Sequence, residues 1–171
     1  ILLVPVLVIV YYLYIELDNV LFAYFLAPIF IVASLTDFLD GYIARSRNLV
    51  TVFGKFLDPL ADKLIVMAAL IILNALGFVP IWITILILSR EFIVTGLRLV
   101  AVGDGKVIAA SNLGKYKTAA TMVALVIMLF FPLHDLFAEV GLYVLYFGVL
   151  LTAVSGYDYV KSNLEIITKS M

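Results

Sequence analysis

Four aspartates, Asp37, Asp40, Asp58 and Asp62, fall within 26 consecutive positions of a chain in which only 13% of residues are charged. They sit inside or just beside apolar runs. An Asp at the centre of a membrane helix costs about 2.5–3.5 kcal/mol on insertion scales, and less near the interface. Nothing in folding requires such a penalty four times over, and acids scattered in a solvated loop would show no helical period. Asp37, Asp40, Gly41 and Ala44 fall at i, i+3, i+4 and i+7, one stripe of one helix. Gly54, Asp58 and Asp62 follow at i, i+4 and i+8 on the next. Two helices joined by a short connection are antiparallel neighbours, so the acidic stripes can face each other. Four convergent carboxylates make a hard-oxygen site suited to Mg2+ or Mn2+, without the Cys or His that would favour zinc. Gly41, Ala44 and Gly54 leave room beside the acids for a large planar or phosphorylated ligand to approach the backbone. Divalent cations next to an open slot point to phosphoryl chemistry.

The elements that carry these residues follow from composition. Hydrophobic residues make up 65% of the 171 positions, against about 45–50% in soluble domains. A single domain of this size, spanning 1–171, cannot hide that much apolar surface, and much of it must face lipid. A soluble enzyme, a disordered chain and a disulfide scaffold are excluded, the last because there is no Cys. A net charge of −1 gives no case for nucleic acid. The chain opens at Ile1 directly into ILLVPVLVIV, with neither the basic region nor the cleavage site of a signal peptide. This start reads as the inside of a first spanning helix whose preceding native segment is missing.

Charge-free stretches run over 1–15, 19–36, 64–89, 118–134 and 140–157. The third exceeds one span and breaks at Asn74, Gly77 and Pro80, where a tight turn is expected. The chain therefore reads as an all-α integral membrane protein of six transmembrane helices, at about 1–15, 20–46, 56–76, 80–101, 114–131 and 139–160. The short connections at 16–19, 77–79 and 132–138 hold no Lys or Arg. Arg45, Arg47, Lys55, Lys63, Arg90, Arg98, Lys106, Lys115, Lys117, Lys161 and Lys169 all fall on the other side. The positive-inside rule then places both termini and the acidic site on the cytoplasmic side of the cell membrane. Trp82 and several Tyr near helix ends read as interfacial anchors.

The run Asp37-Phe-Leu-Asp40-Gly41-Tyr-Ile-Ala44-Arg45, eight further residues, then Gly54-Lys-Phe-Leu-Asp58-Pro-Leu-Ala-Asp62 resembles the signature of the CDP-alcohol phosphotransferase family at every fixed position. The resemblance implies a fold of six transmembrane helices, in agreement with the span count. It also implies that Asp37, Asp40 and Asp58 are metal ligands, and that Asp62 is both a metal neighbour and the general base. The Gly and Ala positions would line a CDP site, with Arg45 near it. The implied reaction is attack by an alcohol on the lipid-proximal phosphorus of a CDP-lipid, expelling CMP, with two divalent ions bridging the diphosphate and Asp62 taking the hydroxyl proton. Members form homodimers and carry a segment before the first helix, with an Asn and a Thr that help hold the nucleotide; nothing before Ile1 is present to match it.

Helix 4 ends Ser89-Arg90-Glu91-Phe-Ile-Val-Thr95-Gly96-Leu97-Arg98, and helix 5 begins Gly114-Lys115-Tyr116-Lys117-Thr118 just after Asn112. Lys106, Lys161 and Lys169 read as positive-inside anchors. Arg90 lies deeper in an apolar helix, on about the same face as Arg98, and needs an anionic partner. A substrate phosphate is a candidate, with Arg as its fork-shaped donor and Glu91 pairing with or orienting one of the two arginines. These phrases look like the phosphatidylglycerophosphate synthase branch of the family, which uses CDP-diacylglycerol as donor and sn-glycerol 3-phosphate as acceptor. Arg90, Arg98, Lys115 and Lys117 are then the residues expected to hold the acceptor phosphate.

Related enzymes with inositol phosphate or phosphatidylglycerol as acceptor would use the same chemistry. A transporter would place ionisable groups near the membrane midplane with a route to both faces, whereas the outer halves of these helices are almost bare of charge. His134 reads as a loop residue and not a ligand. Thr95, Thr118 and Thr121 could bond the acceptor or serve helix packing and back-bonding.

Overall fold

An apolar chain deprived of water must satisfy its peptide groups locally, and this one does so in helices. The computed structural model describes residues 3–46, 52–103 and 112–162, and within these all side chains except those of 38, 40, 41, 44, 45, 52–62, 98–103, 112, 113, 115 and 157–162. Six helices and no strand occupy the described residues: α1 (Leu3–Glu16), α2 (Val20–Ser46), α3 (Val52–Ala75), α4 (Ile81–Gly103), α5 (Asn112–Leu129) and α6 (Asp135–Ser162).

Local chemistry sets the boundaries. Asn19 caps α2, its side-chain oxygen accepting from the Leu21 amide at 3.0 Å. The end of α3 is closed by Gly77 at φ +81°. The Gly77 amide donates to Asn74 and the Phe78 amide to Leu73, both at 3.0 Å, the paired bonds of a glycine-terminated helix. Asn74 then holds the Val79 carbonyl at 2.8 Å, turning the chain into α4. α6 starts at Asp135, four residues before the expected start. His134 explains the difference: its Nδ1 accepts from the Leu136 amide at 3.0 Å, so this loop residue serves as the helix cap. α3 likewise begins four residues early, at Val52, which puts Gly54, Asp58 and Asp62 in one unbroken helix.

α5 and α6 form the most extensive helix pair, α1 packs along α2, and α3 touches α1, α2, α4 and α5. The core is built from Leu7, Leu26, Phe30, Leu70, Leu73, Ile83, Leu125, Met128 and Leu145, all fully buried or nearly so. Close approach of α5 and α6 rests on a stripe of mostly small residues on α6, namely Ala138, Gly141, Gly148, Thr152 and Ser155, buried at spacings of three, four and seven. Outward faces remain apolar, with Ile9, Tyr12, Leu21, Phe25, Ile85 and Leu150 exposed. Trp82 is half exposed and stacks on Tyr146 with ring centres 6.2 Å apart.

Among the described residues, α2 over Val20–Asp37 and α6 over Asp135–Gly156 are long and apolar enough to cross a membrane. Leu3–Glu16, Lys63–Ala75 and Tyr116–Leu129 are apolar but shorter.

Candidate active site

The acidic side is built by α2 and α3, which touch each other. α2 continues unbroken to Ser46, so Asp37, Asp40, Gly41 and Ala44 do lie along one helical stripe, with Arg45 beside it. Gly54, Asp58 and Asp62 lie along one stripe of α3. The Asp37 side chain is exposed. The side chains of Asp40, Gly41, Ala44, Arg45, Gly54, Asp58 and Asp62 lie outside the described residues. Among the described side chains no three acids or histidines converge on a point, and of the four aspartates only Asp37 is in that set.

The cationic side is built by α4, α5 and α6. Lys117 is buried, 4% exposed, and its ammonium donates to Glu91 Oε1 across the α4–α5 interface. The same carboxylate oxygen accepts from Arg90 Nη1 at 3.4 Å. The second terminal nitrogen of Arg90, Nη2, donates to Ser155 Oγ on α6 at 2.7 Å. Glu91 is thus shared by two cations, and the group of three carries a formal charge of +1. Sequence reasoning gave Arg90 a phosphate as its anionic partner and Glu91 as an orienting group for one arginine. In the structure Glu91 serves both Arg90 and Lys117. Arg98 lies two turns further along α4 and Lys115 two residues before Lys117 on α5; the side chains of both lie outside the described residues.

A cleft between α3 and α4 is lined by Lys63, Leu64, Met67, Glu91, Phe92 and Thr95. Lys63 follows Asp62 directly in the chain, and Glu91 belongs to the cationic group. The surface of this cleft is almost wholly apolar, with Lys63 and Glu91 as the charged residues among those lining it. Thr118 bonds back to the Gly114 carbonyl at 3.0 Å, Thr95 is buried on the cleft wall, and the hydroxyl of Thr121 is buried without a hydrogen-bond partner among the described residues.

Two residues escaped the sequence reading. Ser155 is 1% exposed and bonds Arg90. Its neighbour Gly156 lies against the arginine stem, where a Cβ would make ordinary contact with Arg90 Cγ at 3.4 Å. The signal was the period of seven through Gly141, Gly148 and Ser155, which marks the face of α6 turned to its neighbours.

A family model described as CDP-alcohol phosphatidyltransferase matches residues 1–154. The chain is 52% identical over 152 residues to a CDP-diacylglycerol–glycerol-3-phosphate 3-phosphatidyltransferase of Bacillus subtilis, covering 84% of this chain and 76% of that one. A probable phosphatidylglycerophosphate synthase of Mycobacterium tuberculosis is 44% identical over 142 residues, 81% of this chain and 66% of its own length. A Rickettsia bellii protein with the same description as that of Bacillus is 39% identical over 165 residues, covering 93% of this chain and 87% of its own.

Proposed function

Because the chain belongs to the CDP-alcohol phosphatidyltransferase family, we propose that it transfers the phosphatidyl group of CDP-diacylglycerol to sn-glycerol 3-phosphate, releasing CMP. The descriptions of the similar bacterial proteins support both substrates. One observation carries the acceptor assignment. Arg90 and Lys117 come from different helices to a single carboxylate, and that carboxylate lines a cleft whose other wall is α3, the helix of Asp58 and Asp62. The two cations on that carboxylate make a net cationic group, suited to a phosphorylated alcohol and not to a neutral one.

Asp37, Asp40, Asp58 and Asp62 fit a pair of Mg2+ or Mn2+ ions by the chemistry of their donors, which are all anionic oxygens on two touching helices. These four residues would hold the ions, whose chemistry there would be to offset negative charge on the diphosphate. Gly41, Ala44 and Gly54 leave space for the CDP moiety, with Asp37, Arg45 and Asp58 beside it. Asp62 accepts the proton of the acceptor hydroxyl. The oxygen so released bonds to the lipid-proximal phosphorus while the phosphorus–oxygen bond to CMP breaks. Arg90, Arg98, Lys115 and Lys117 hold the acceptor phosphate throughout.

The same reading places six spans in the cell membrane, both ends of the chain and the active site on the cytoplasmic side, and two copies in a homodimer. The distribution of Lys and Arg supports the orientation; family resemblance supports the dimer. The test is CMP release from CDP-diacylglycerol by the purified protein in detergent micelles with Mg2+, across a panel of acceptors. Glycerol 3-phosphate is expected to be strongly preferred. Equal or faster turnover with inositol phosphate or phosphatidylglycerol would overturn the acceptor assignment and leave the donor chemistry in place.

A further inference from the structure

The acceptor phosphate needs a guanidinium held in one orientation, and an arginine side chain has many rotamers to lose. The described structure pins Arg90 at both terminal nitrogens: Nη1 by Glu91 at 3.4 Å and Nη2 by Ser155 Oγ at 2.7 Å. Ser155 lies 65 residues further along the chain, on another helix. Its hydroxyl is almost wholly buried at 1% exposure, where a polar group without a partner is costly. Alanine or glycine would continue the small-residue stripe of α6 equally well for packing. The arginine stem also runs against α6 at Gly156, next in sequence.

We propose that Ser155 is a positioning residue for acceptor recognition: by accepting from Arg90 Nη2 it sets the plane and place of the guanidinium that binds the acceptor's phosphate. The inference rests on the assignment of Arg90 to the acceptor made above. It gives α6 a part in substrate selection, because a helix that supplies no group to the reacting atoms decides how well the phosphate is held. Ser155 touches neither substrate.

The experiment is a double-mutant cycle of Ser155→Ala and Arg90→Ala, with KM for glycerol 3-phosphate, KM for CDP-diacylglycerol and kcat measured in the purified full chain in detergent with Mg2+. Ser155→Ala removes one oxygen and adds no bulk. It is expected to raise the acceptor KM about 3- to 10-fold, less than direct loss of a charge-assisted bond, with the donor KM and kcat within about 2-fold. In the Arg90→Ala background Ser155→Ala is expected to change nothing further, because its effect passes through the guanidinium. A role in packing alone would lower kcat or the thermal midpoint in both backgrounds alike. Additive effects, an unchanged acceptor KM in Ser155→Ala, or a shift confined to the donor KM would each overturn the proposal. If Arg90→Ala itself leaves the acceptor KM unchanged, the assignment of Arg90 falls and takes this inference with it. If Arg90→Ala raises that KM and Ser155→Ala does not, the positioning role alone falls.

Discussion

The acidic and the cationic sides of the site are assembled in opposite ways. The acids occupy two consecutive helices, α2 and α3, at spacings of three and four that put each set on one stripe. The cations occupy α4 and α5 and are held through α6, by contacts between residues 26 and 65 positions apart. Local periodicity is enough to put each set of acids on one stripe of its own helix. The cationic group exists only once α4, α5 and α6 have packed. On the proposed reading, the donor side is a local unit of two consecutive helices, and the acceptor side depends on tertiary contacts among three others.

The largest effects are expected on the acidic side, and the first attacks it as a whole. Chelation with EDTA should abolish CMP release, and added Mg2+ or Mn2+ should restore it. Full activity in chelator would remove the metal role of the four aspartates and with it the distinction between the two sides. Next, Asp62→Asn should lower turnover by about 10²–10⁴-fold, the range of a general base, with CDP-diacylglycerol binding largely retained. Turnover above about half of wild type would contradict both the base and the metal roles, since neither loss is compatible with so small an effect.

On the cationic side the expected effect is smaller and different in kind. A hydrogen bond to a charged group contributes about 1.5–3 kcal/mol, so Arg90→Ala should raise the KM for glycerol 3-phosphate by about 10- to 150-fold. Lys117→Ala should act in the same direction. The KM for CDP-diacylglycerol should move much less. Free glycerol, which lacks the phosphate, should be a poor acceptor for the wild type and nearly insensitive to either substitution. A rise in the donor KM with a steady acceptor KM would move these residues to the nucleotide and merge the two sides into one.

The same contrast governs what the sequence revealed. α2 was expected at 20–46 and is found at Val20–Ser46, because a charge-free run bounded by Asn19 leaves little choice of frame. The α3–α4 turn was legible from Asn74, Gly77 and Pro80, each of which has a local backbone role. The start of α6 was misplaced by four residues because His134, an unusual cap, hid the boundary. The cationic group was legible only as a list of charges. That Glu91 would serve Arg90 and Lys117 together, and that Ser155 would complete the arrangement, depends on which faces of three helices meet. No spacing within a single helix encodes a contact across 65 residues. The stripe Gly141, Gly148 and Ser155 held part of the answer, since small residues at intervals of seven mark the face where backbones approach.

That stripe gives the smallest and last test, on stability and on the cationic side together. A Cβ at Gly141 would lie 2.9 Å from the Met128 amide nitrogen and 3.0 Å from the Ala124 carbonyl oxygen. Neither backbone atom can rotate away, although the Met128 side chain, also in the path, can. At Gly148 the nearest atom is Thr121 Oγ1 at 3.3 Å, a hydroxyl on one rotatable bond. At Gly96 on α4 nothing lies within 4 Å. Overpacking costs about 1–3 kcal/mol, while replacing a helical glycine by alanine returns about 0.5–1 kcal/mol where space allows. Gly141→Ala should therefore be destabilised by about 1–3 kcal/mol in detergent thermal unfolding, Gly148→Ala should lie near wild type, and Gly96→Ala should be slightly more stable. Ser155 lies about 21 Å further along α6 and bonds Arg90 on α4, so Gly141→Ala should leave both the acceptor KM and the donor KM near wild type. A Gly141→Ala protein as stable as wild type would mean that α5 and α6 do not approach so closely, whereas a raised acceptor KM would mean that the α4–α6 contact of Arg90 with Ser155 depends on that approach.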